Sequence, residues 1–243
     1  MAAHLPRIVL SWGSGKDSAW MLHRLRLAAT HEIAGLMTTI NQTAGRVSMH
    51  GVRIELLDAQ ARAAGLPLWT IPLPYPCTNE IYEEAMRRFL DILIARGMTH
   101  LAFGDLFLED VRRYREDRLE GTGISPVFPL WGMPTADLAD EMVEAGLKAR
   151  LATVDPRVLD PSFAGREYDR ALLADLPPSV DPCGERGEFH TFVYQGPMFS
   201  EPIPVETGDV VVRDGFVFAD LTLPRMPDAL ASVDLDGTVA HRD

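Results

Sequence analysis

Strands and helices alternate along the first hundred residues of the chain. Short apolar stretches are followed by longer segments in which apolar residues recur every three or four positions. The predicted strands are residues 7–11, 33–40, 68–73 and 100–103, and the predicted helices are residues 16–29, 52–64 and 80–96. This alternation favours an α/β fold with a parallel sheet and helices on both faces. Ligands of such sheets bind beyond the carboxyl ends of the strands, so the loop after the first strand is a place to search for a site.

The pattern becomes less regular in the second half of the chain. The predicted elements there are strands at residues 127–130 and 149–154, a helix at residues 135–145, and a hairpin of residues 210–212 and 216–218. The dipeptide Asp214-Gly215 between the last two strands favours a type I′ turn. We place the domain boundary at this change of pattern, with a first domain at residues 1–106, a smaller lobe at residues 107–223 and a tail at residues 224–243.

Composition argues against several classes of protein. The formal net charge of −12 repels a phosphate backbone, which disfavours nucleic-acid binding. No apolar run reaches the roughly 18 residues of a membrane span, and the first residues lack the features of a signal peptide, so we expect a cytoplasmic protein. Cys77 and Cys183 form neither a CxxC pair nor a zinc-ligand spacing, which predicts reduced thiols. A homodimer is the general expectation for a soluble oligomer.

A glycine-rich loop follows the first predicted strand and precedes the first predicted helix. Gly13 and Gly15 let the backbone turn sharply and approach a ligand without a Cβ clash. The backbone N–H groups at the start of the helix favour an anion, and Lys16 adds a positive charge. Ser14 and Ser18 carry hydroxyl groups that can donate hydrogen bonds to phosphate oxygens. The loop is therefore a candidate phosphate site, and the alternative is a turn whose charged side chains are merely solvated.

Asp17 distinguishes this loop from the common nucleotide-binding loops. Its carboxylate does not favour a bare phosphate, but it can help to hold a phosphate-bound Mg²⁺. A Walker A loop requires a glycine where this chain has Leu10, and Ser or Thr where it has Asp17. The dinucleotide pattern fails too, because Ser18 stands at the position of its third glycine. Cleavage of a γ-phosphate is therefore disfavoured.

A second glycine-rich loop, at residues 181–192, concentrates groups capable of acid–base chemistry. Glu185 and Glu188 are three positions apart, and we expect them to converge on a metal or an amine nucleophile. An amine that has attacked an acyl group must lose a proton, which a carboxylate or His190 can accept. Cys183 is a candidate nucleophile, although a small buried side chain is its more common role. For His190, a hydrogen bond to a carbonyl group is an equally good interpretation.

Together these two loops resemble the diphthine–ammonia ligase family of ATP-binding proteins, which lies within the PP-loop superfamily of ATP pyrophosphatases. That family carries a Ser-Gly-Gly-Lys-Asp-Ser loop and, near its C-terminus, a Cys-Gly-Glu-x-Gly-Glu motif followed by Tyr or Phe. The matching stretches here are residues 13–18 and 183–189, and the similarity is collinear over roughly residues 7–200. Residues 49–53 are similar to a bacterial branch of the family. One hydroxyl has moved within the first loop, and His190 replaces a family glutamate, so the ATP chemistry carries over while the acceptor stays open.

The resemblance implies a Rossmann-like, adenine nucleotide α-hydrolase-like ATP-binding domain and a smaller C-terminal α+β lobe that binds the substrate. It also implies a reaction in which ATP is cleaved to AMP and pyrophosphate, a carboxylate-bearing substrate is adenylated, and ammonia or another amine attacks. ATP and Mg²⁺ are the expected cofactors. One alternative is a tRNA-modifying PP-loop enzyme, which the cysteine spacing and the acidic charge disfavour. The other is a nucleotide-binding sensor without turnover.

The expected site residues fall into three groups. The ATP-binding residues are Ser11, Gly13, Ser14, Gly15, Lys16, Asp17 and Ser18. The catalytic residues are Lys16, Asp17, Glu185 and Glu188, with Asp17 also expected to hold the metal. The substrate-binding residues are His50, Arg53, Asp105, Cys183 and His190. The other charged residues that follow the fourth strand are interpreted as a solvated helix face, and they are Glu109, Asp110, Arg112, Arg113, Arg115 and Arg118.

Overall fold

The computed structural model describes residues 4–43, 46–47 and 51–224. Its larger sheet contains β1 (Arg7–Ser11), β2 (Glu32–Asn41), β3 (Arg46–Val47), β4 (Leu68–Leu73), β5 (His100–Ala102) and β6 (Ser125–Val127). All of these strands except β3 run parallel, in the spatial order β4-β2-β1-β5-β6. The short β3 pairs antiparallel with the end of β2. Because the strand order reverses between β1 and β5, the topological switch point lies at the carboxyl ends of these two strands.

Helices cover both faces of this sheet. They are α1 (Lys16–Ala28), α2 (Ile54–Ala64), α3 (Asn79–Ala95), α4 (Glu109–Leu119), α5 (Thr135–Glu144) and α6 (Arg170–Asp175). The apolar stripes of α1 and α2 join one buried cluster, whereas α3 and α4 contribute Phe89, Leu93 and Leu119 to a second cluster on the opposite face. The Thr78 side chain accepts a hydrogen bond from Ile81 N at 3.4 Å and so caps α3.

A smaller antiparallel sheet follows in the chain. Its strands are β7 (Lys148–Val154), β8 (Phe189–Gln195), β9 (Glu206–Arg213) and β10 (Phe216–Thr222), in the order β8-β7-β10-β9. Asp214 and Gly215 connect β9 to β10 with positive φ angles of 51° and 81°. Positive φ at both central positions is the requirement of a type I′ turn, so the predicted hairpin is confirmed.

The predicted fold class, an α/β protein with a Rossmann-like sheet and a C-terminal α+β lobe, is confirmed. The strand predicted at residues 127–130 is misplaced: β6 ends at Val127, and Phe128 accepts a turn hydrogen bond from Trp131 N. The strand β8 was not predicted, because the second glycine-rich loop was expected to be irregular through residue 192. The domain boundary at residue 106 stays a prediction, and the larger sheet continues past it to β6. Among the described residues, no helix is both long and apolar enough to cross a membrane.

Candidate active site

The candidate site lies at the switch point, where the loops after β1 and β5 meet the second glycine-rich loop. It is a cavity of about 270 Å³. The predicted site residues along its wall are Ser11, Gly13, Gly15, Lys16, Asp17, Ser18, Asp105, Glu185 and His190. A Cβ atom on Gly104 would lie 3.2 Å from the carbonyl carbon of Asp17, so glycine at that position allows the loop after β5 to approach the start of α1 closely. We call this space the loop cavity.

The first glycine-rich loop is held in place by the smaller sheet. Ser14, which has a φ angle of 71°, accepts a hydrogen bond from Val193 N at 3.0 Å through its carbonyl oxygen. The backbone N–H of Lys16 donates to Thr191 Oγ1 at 3.0 Å, and Gly13 N donates to Ser18 Oγ at 3.0 Å. The strand β8 therefore fixes the loop before any ligand binds, and it supplies the contacts that stabilise a non-glycine residue in the left-handed region.

Lys16 is buried between the two lobes. Its ammonium group lies 2.9 Å from Asp17 Oδ2 and donates to the carbonyl oxygen of Cys183. The Phe189 and Tyr168 rings lie on the same group, with centroids at 5.4 and 5.8 Å. Burial disfavours the charged form, but the charge and hydrogen bond of Asp17, together with the charges of Cys183 and Glu185, hold the pKa of Lys16 above its usual value. Lys16 therefore links the two glycine-rich loops as a charged group.

The two carboxylate oxygens of Asp17 differ in their contacts. Its Oδ2 atom is paired with Lys16, whereas its Oδ1 atom is buried without a hydrogen-bond partner in the structure. Burial raises the pKa of Asp17, and a cation beside the carboxylate would oppose that shift. Within the described ranges, no three His, Cys, Asp or Glu side chains are grouped so that they could hold a metal by themselves. A Mg²⁺ ion commonly takes one or two carboxylates together with phosphate oxygens, and Asp17 fits that arrangement.

The second glycine-rich loop is shaped by two buried carboxylates. Glu188 accepts hydrogen bonds from Asp181 N at 3.0 Å and from Arg186 N at 2.9 Å. Asp181 in turn accepts from Cys183 N at 2.9 Å and from the Thr135 hydroxyl group at 2.7 Å. Glu188 is 5% exposed and does not line the loop cavity. The predicted convergence with Glu185 is therefore absent, and the geometry gives Glu188 the role of shaping the loop.

Glu185 is the carboxylate of this loop that reaches the cavity. Its Oε1 atom accepts a hydrogen bond from Leu106 N at 2.8 Å, which ties the second loop to the segment after β5. Burial raises the pKa of Glu185 to about 7. A carboxyl group with this pKa can accept a proton and release it again near neutral pH.

Cys183 and His190 differ in their access to the cavity. The thiol of Cys183 is buried, contacts the carbonyl oxygen of Thr135 at 3.4 Å, and has its pKa raised to about 12 by burial. A thiol held in its neutral form is a poor nucleophile, so the contribution of Cys183 is its carbonyl oxygen, which binds Lys16. His190 lines the loop cavity, and burial, together with the charge of Lys16, lowers the pKa of His190 to about 4. It is a neutral imidazole at physiological pH.

Arg115 belongs to the site, so its interpretation as part of a solvated helix face is wrong. Its guanidinium forms a bidentate pair with Asp105, at 2.5 and 3.1 Å, and lies over the Phe103 ring with 4.4 Å to the centroid. The spacing of residues in the sequence indicates that Arg115 faces inward. Arg115 is four residues before the buried Leu119, so both lie on the inward face of α4.

Comparison with known families identifies the chain. Residues 6–125 match the model of the diphthamide synthase N-terminal domain, and residues 134–218 match that of the diphthamide synthase C-terminal domain. The chain belongs to the diphthamide synthase family. The resemblance inferred from the two glycine-rich loops is thereby confirmed.

Three relatives of this chain carry the same name, diphthine–ammonia ligase. The protein called diphthine–ammonia ligase in Homo sapiens is 27% identical over 241 residues, which cover 90% of each chain. Its counterpart in Bos taurus is 26% identical over 242 residues with the same coverage. The Mus musculus protein is 27% identical over 267 residues, covering 97% of this chain and 98% of its own. The similarity thus extends over both diphthamide synthase domains.

Two predicted substrate-binding residues remain, of which one is described and lies elsewhere. His50 is outside the described residues. Arg53, at the start of α2, forms a bidentate pair with Asp220 of β10 at 3.1 and 2.7 Å, and Arg46 binds the same carboxylate at 3.0 Å. Arg53 does not line the loop cavity. The carboxylate that it binds belongs to its own chain, which favours a structural role between the start of α2 and the smaller sheet.

Replacing Arg53 by Ala tests that role. We expect the free energy of unfolding, measured by urea denaturation, to fall by about 0.5–1 kcal/mol, because the ion pair is partly solvent-screened. The affinity for ATP should stay within about twofold of the parent value, because Arg53 does not line the loop cavity. The variant Asp220→Ala, which removes the other partner of the same ion pair, is the matched control. A rise in the KM of an acceptor, with unchanged stability, would restore a substrate-binding role.

Proposed function

We propose that this member of the diphthamide synthase family is an ATP-dependent amide-forming ligase that works through an acyl-adenylate. A carboxylate oxygen of the acceptor attacks the α-phosphorus of ATP, the bond to the bridging oxygen breaks, and pyrophosphate leaves. Ammonia or another amine then attacks the acyl carbon, AMP leaves, and the surplus proton is transferred to the protein. The observation that carries the proposal is the Asp17 carboxylate, whose buried, unbonded Oδ1 atom lies between the two glycine-rich loops.

Family membership and the names of the relatives support the coarser part of this proposal, an ATP-dependent ligase that forms an amide. Lys16 supports the finer part. It is engaged with Asp17 and Cys183, unlike the phosphate-binding lysine of a Walker A loop, which reaches the β- and γ-phosphates. Cleavage between the α- and β-phosphates is the chemistry of the PP-loop enzymes that the loop resembles.

Two adjoining cavities accommodate the nucleotide. The loop cavity lies at the start of α1 and has the size for phosphate groups. A neighbouring cavity of about 630 Å³ shares Ser11, Gly13, Phe103 and Arg115 with it and extends past the ends of β2 and β4. We call this the outer cavity and assign the adenosine to it. A molecule that spans both cavities places its α-phosphate near their common wall.

The side chains of the loop cavity have different roles in the proposed reaction. Asp17 would hold a Mg²⁺ ion that neutralises the phosphate charge and makes pyrophosphate a better leaving group. Lys16 keeps the Asp17 carboxylate ionised and oriented. Glu185, at the opposite wall, accepts the proton of the attacking amine, and neutral His190 provides a hydrogen-bonding group beside it.

Glu185 makes the pH dependence of the reaction predictable. A general base must be deprotonated, so the rate of amide formation should fall as the pH decreases through about 7, where Glu185 takes up its proton. In Glu185→Gln this step in the profile should vanish and the rate should drop by about 10²-fold. The rates are compared at constant concentration of unprotonated ammonia, which separates the residue from the ionisation of the amine. An unchanged profile in Glu185→Gln would exclude this role.

The partners follow from the same proposal. The relatives are named for diphthine and ammonia, so a carboxylate-bearing acceptor and ammonia or another amine are the substrates to test here. Localisation in the cytoplasm, a bacterial-type acceptor and assembly as a homodimer are parts of the proposal that rest on the sequence alone.

Exchange of labelled pyrophosphate into ATP tests the adenylation step. We expect exchange when purified protein, ATP and Mg²⁺ are mixed with an extract of small metabolites without ammonia, because the adenylate then forms reversibly. It should be absent without the extract and in Asp17→Asn. Tight ATP binding with no exchange under any of these conditions would instead support a nucleotide sensor.

A further inference from the structure

A groove opens between α3 and α4 on the face of the sheet opposite to α1 and α2. Its volume is about 500 Å³, which lies within the range of small-molecule sites. Its inner surface is formed mainly by carbon atoms of Tyr82, Met86, Leu90, Leu101, Phe103 and Leu119. Leu101 and Phe103 come from the end of β5, so the floor of the groove leads toward the switch point. We call it the α3–α4 groove.

Four of the charged side chains that line the groove form ion pairs with one another. Arg118 of α4 binds Glu83 of α3 and so crosses the groove, while Arg87 binds Glu84 at 2.8 Å. These pairs leave little net charge for a ligand to bind. An ionic group placed deep in the groove would lose its hydration without compensation, whereas an uncharged apolar body would gain from burial.

The groove adjoins the site of the proposed reaction. Tyr82, Met86, Phe103 and Arg115 line both the groove and the outer cavity, and Phe103 and Arg115 line the loop cavity as well. Phe103 and Arg115 therefore border all three spaces, and the ion pair with Asp105 holds Arg115 in this position. A molecule seated in the groove therefore contacts side chains that also border the proposed nucleotide site.

We propose that the α3–α4 groove holds the body of the acceptor, and that the acceptor is a monocarboxylic acid whose remainder is uncharged and mainly apolar. The acid lies along the groove and presents its carboxylate, past Arg115, to the α-phosphate of ATP. This inference rests on the proposed ligase function, because it assigns the acid of that reaction. The apolar inner surface of the groove suits an aliphatic or aromatic chain.

Binding of straight-chain acids tests the assignment. Butanoate, hexanoate, octanoate and decanoate are titrated calorimetrically into the full-length protein saturated with α,β-methylene-ATP and Mg²⁺, so that binding is measured without cleavage. We expect the affinity to rise about three- to fourfold for each added methylene until the groove is filled. Succinate and glutamine, which carry a second polar group, should bind more weakly than hexanoate by at least about tenfold.

A matched pair of variants locates the binding. Leu90→Trp fills the groove and should lower the affinity for octanoate by at least about tenfold. Ile92→Trp adds similar bulk to the same helix at a side chain that is 48% exposed and outside the groove, so it should stay within about twofold of the parent protein. If Leu90→Trp does not fold, a diazirine-bearing octanoate on the parent protein gives the same information, because its crosslinks should map to α3 and α4.

The outcomes distinguish a failure of the groove assignment from a failure of the proposed ligase function. No chain-length dependence, equal losses in both tryptophan variants, or crosslinks outside α3 and α4 would overturn the groove assignment. Pyrophosphate exchange with polar acids, together with no binding of the alkanoates, contradicts the groove and keeps the ligase. Specific octanoate binding without exchange by any acid contradicts the ligase and leaves an acid-binding groove.

Discussion

Replacing Asp17 by Asn should lower the rate of AMP formation by about 10²- to 10³-fold while the protein remains folded. The amide has nearly the same shape as the carboxylate, so the loop keeps its geometry. It lacks the negative charge that balances Lys16 and that would hold Mg²⁺ at the buried Oδ1 position. The nucleotide affinity of the variant should also lose most of its dependence on Mg²⁺.

The measurement for Asp17→Asn combines steady-state AMP formation with calorimetric ATP binding, each with and without Mg²⁺. Asp91→Asn is the control, because Asp91 is an exposed aspartate of α3 whose side chain lies outside the three cavities. It should behave like the parent protein. A rate for Asp17→Asn within about tenfold of the parent would show that the carboxylate has no part in the chemistry.

Replacing Lys16 by Met should destabilise the protein more than any other single change considered, by about 3–5 kcal/mol in the free energy of unfolding. Met fits between the Tyr168 and Phe189 rings, but it leaves the Asp17 carboxylate and the Cys183 carbonyl group without their donor. The penalty arises from these orphaned groups rather than from lost volume. AMP formation should be lost as well.

Urea denaturation followed by far-UV circular dichroism measures this penalty. Arg88→Met serves as the control, since the Arg88 side chain is 73% exposed and its pair with Glu84 is solvent-screened. It should change the free energy of unfolding by no more than about 0.5 kcal/mol. A loss of less than about 1 kcal/mol for Lys16→Met would mean that the pair does not hold the two loops together.

Local signals made much of the fold predictable. The period of apolar residues identified β1, β2, β4, β5 and the helices that connect them. Asp214-Gly215 specified the hairpin, because this dipeptide favours positive φ at both positions. The two glycine-rich loops were found because each concentrates its chemistry in a few consecutive residues. These features depend on neighbours in sequence.

The features that sequence did not reveal depend on contacts across the chain. Arg115 lies in a helix whose composition is highly polar, and only its packing against Phe103 and its pairing with Asp105 place it in the site. Arg53 was expected to bind an anionic group of the substrate, but its partner in the structure is Asp220, 167 residues away. Glu188 carries the same group as Glu185, yet its oxygens face backbone N–H groups of its own loop.

The most direct test is to identify the products of ATP labelled at the α-phosphate. The protein is incubated with Mg²⁺, ammonium and a metabolite extract, and the labelled nucleotide is resolved by chromatography. We predict labelled AMP together with unlabelled pyrophosphate, formed only when the extract is present and lost in Asp17→Asn. Labelled ADP together with phosphate would contradict cleavage at the α-phosphate and, with it, the proposed acyl-adenylate.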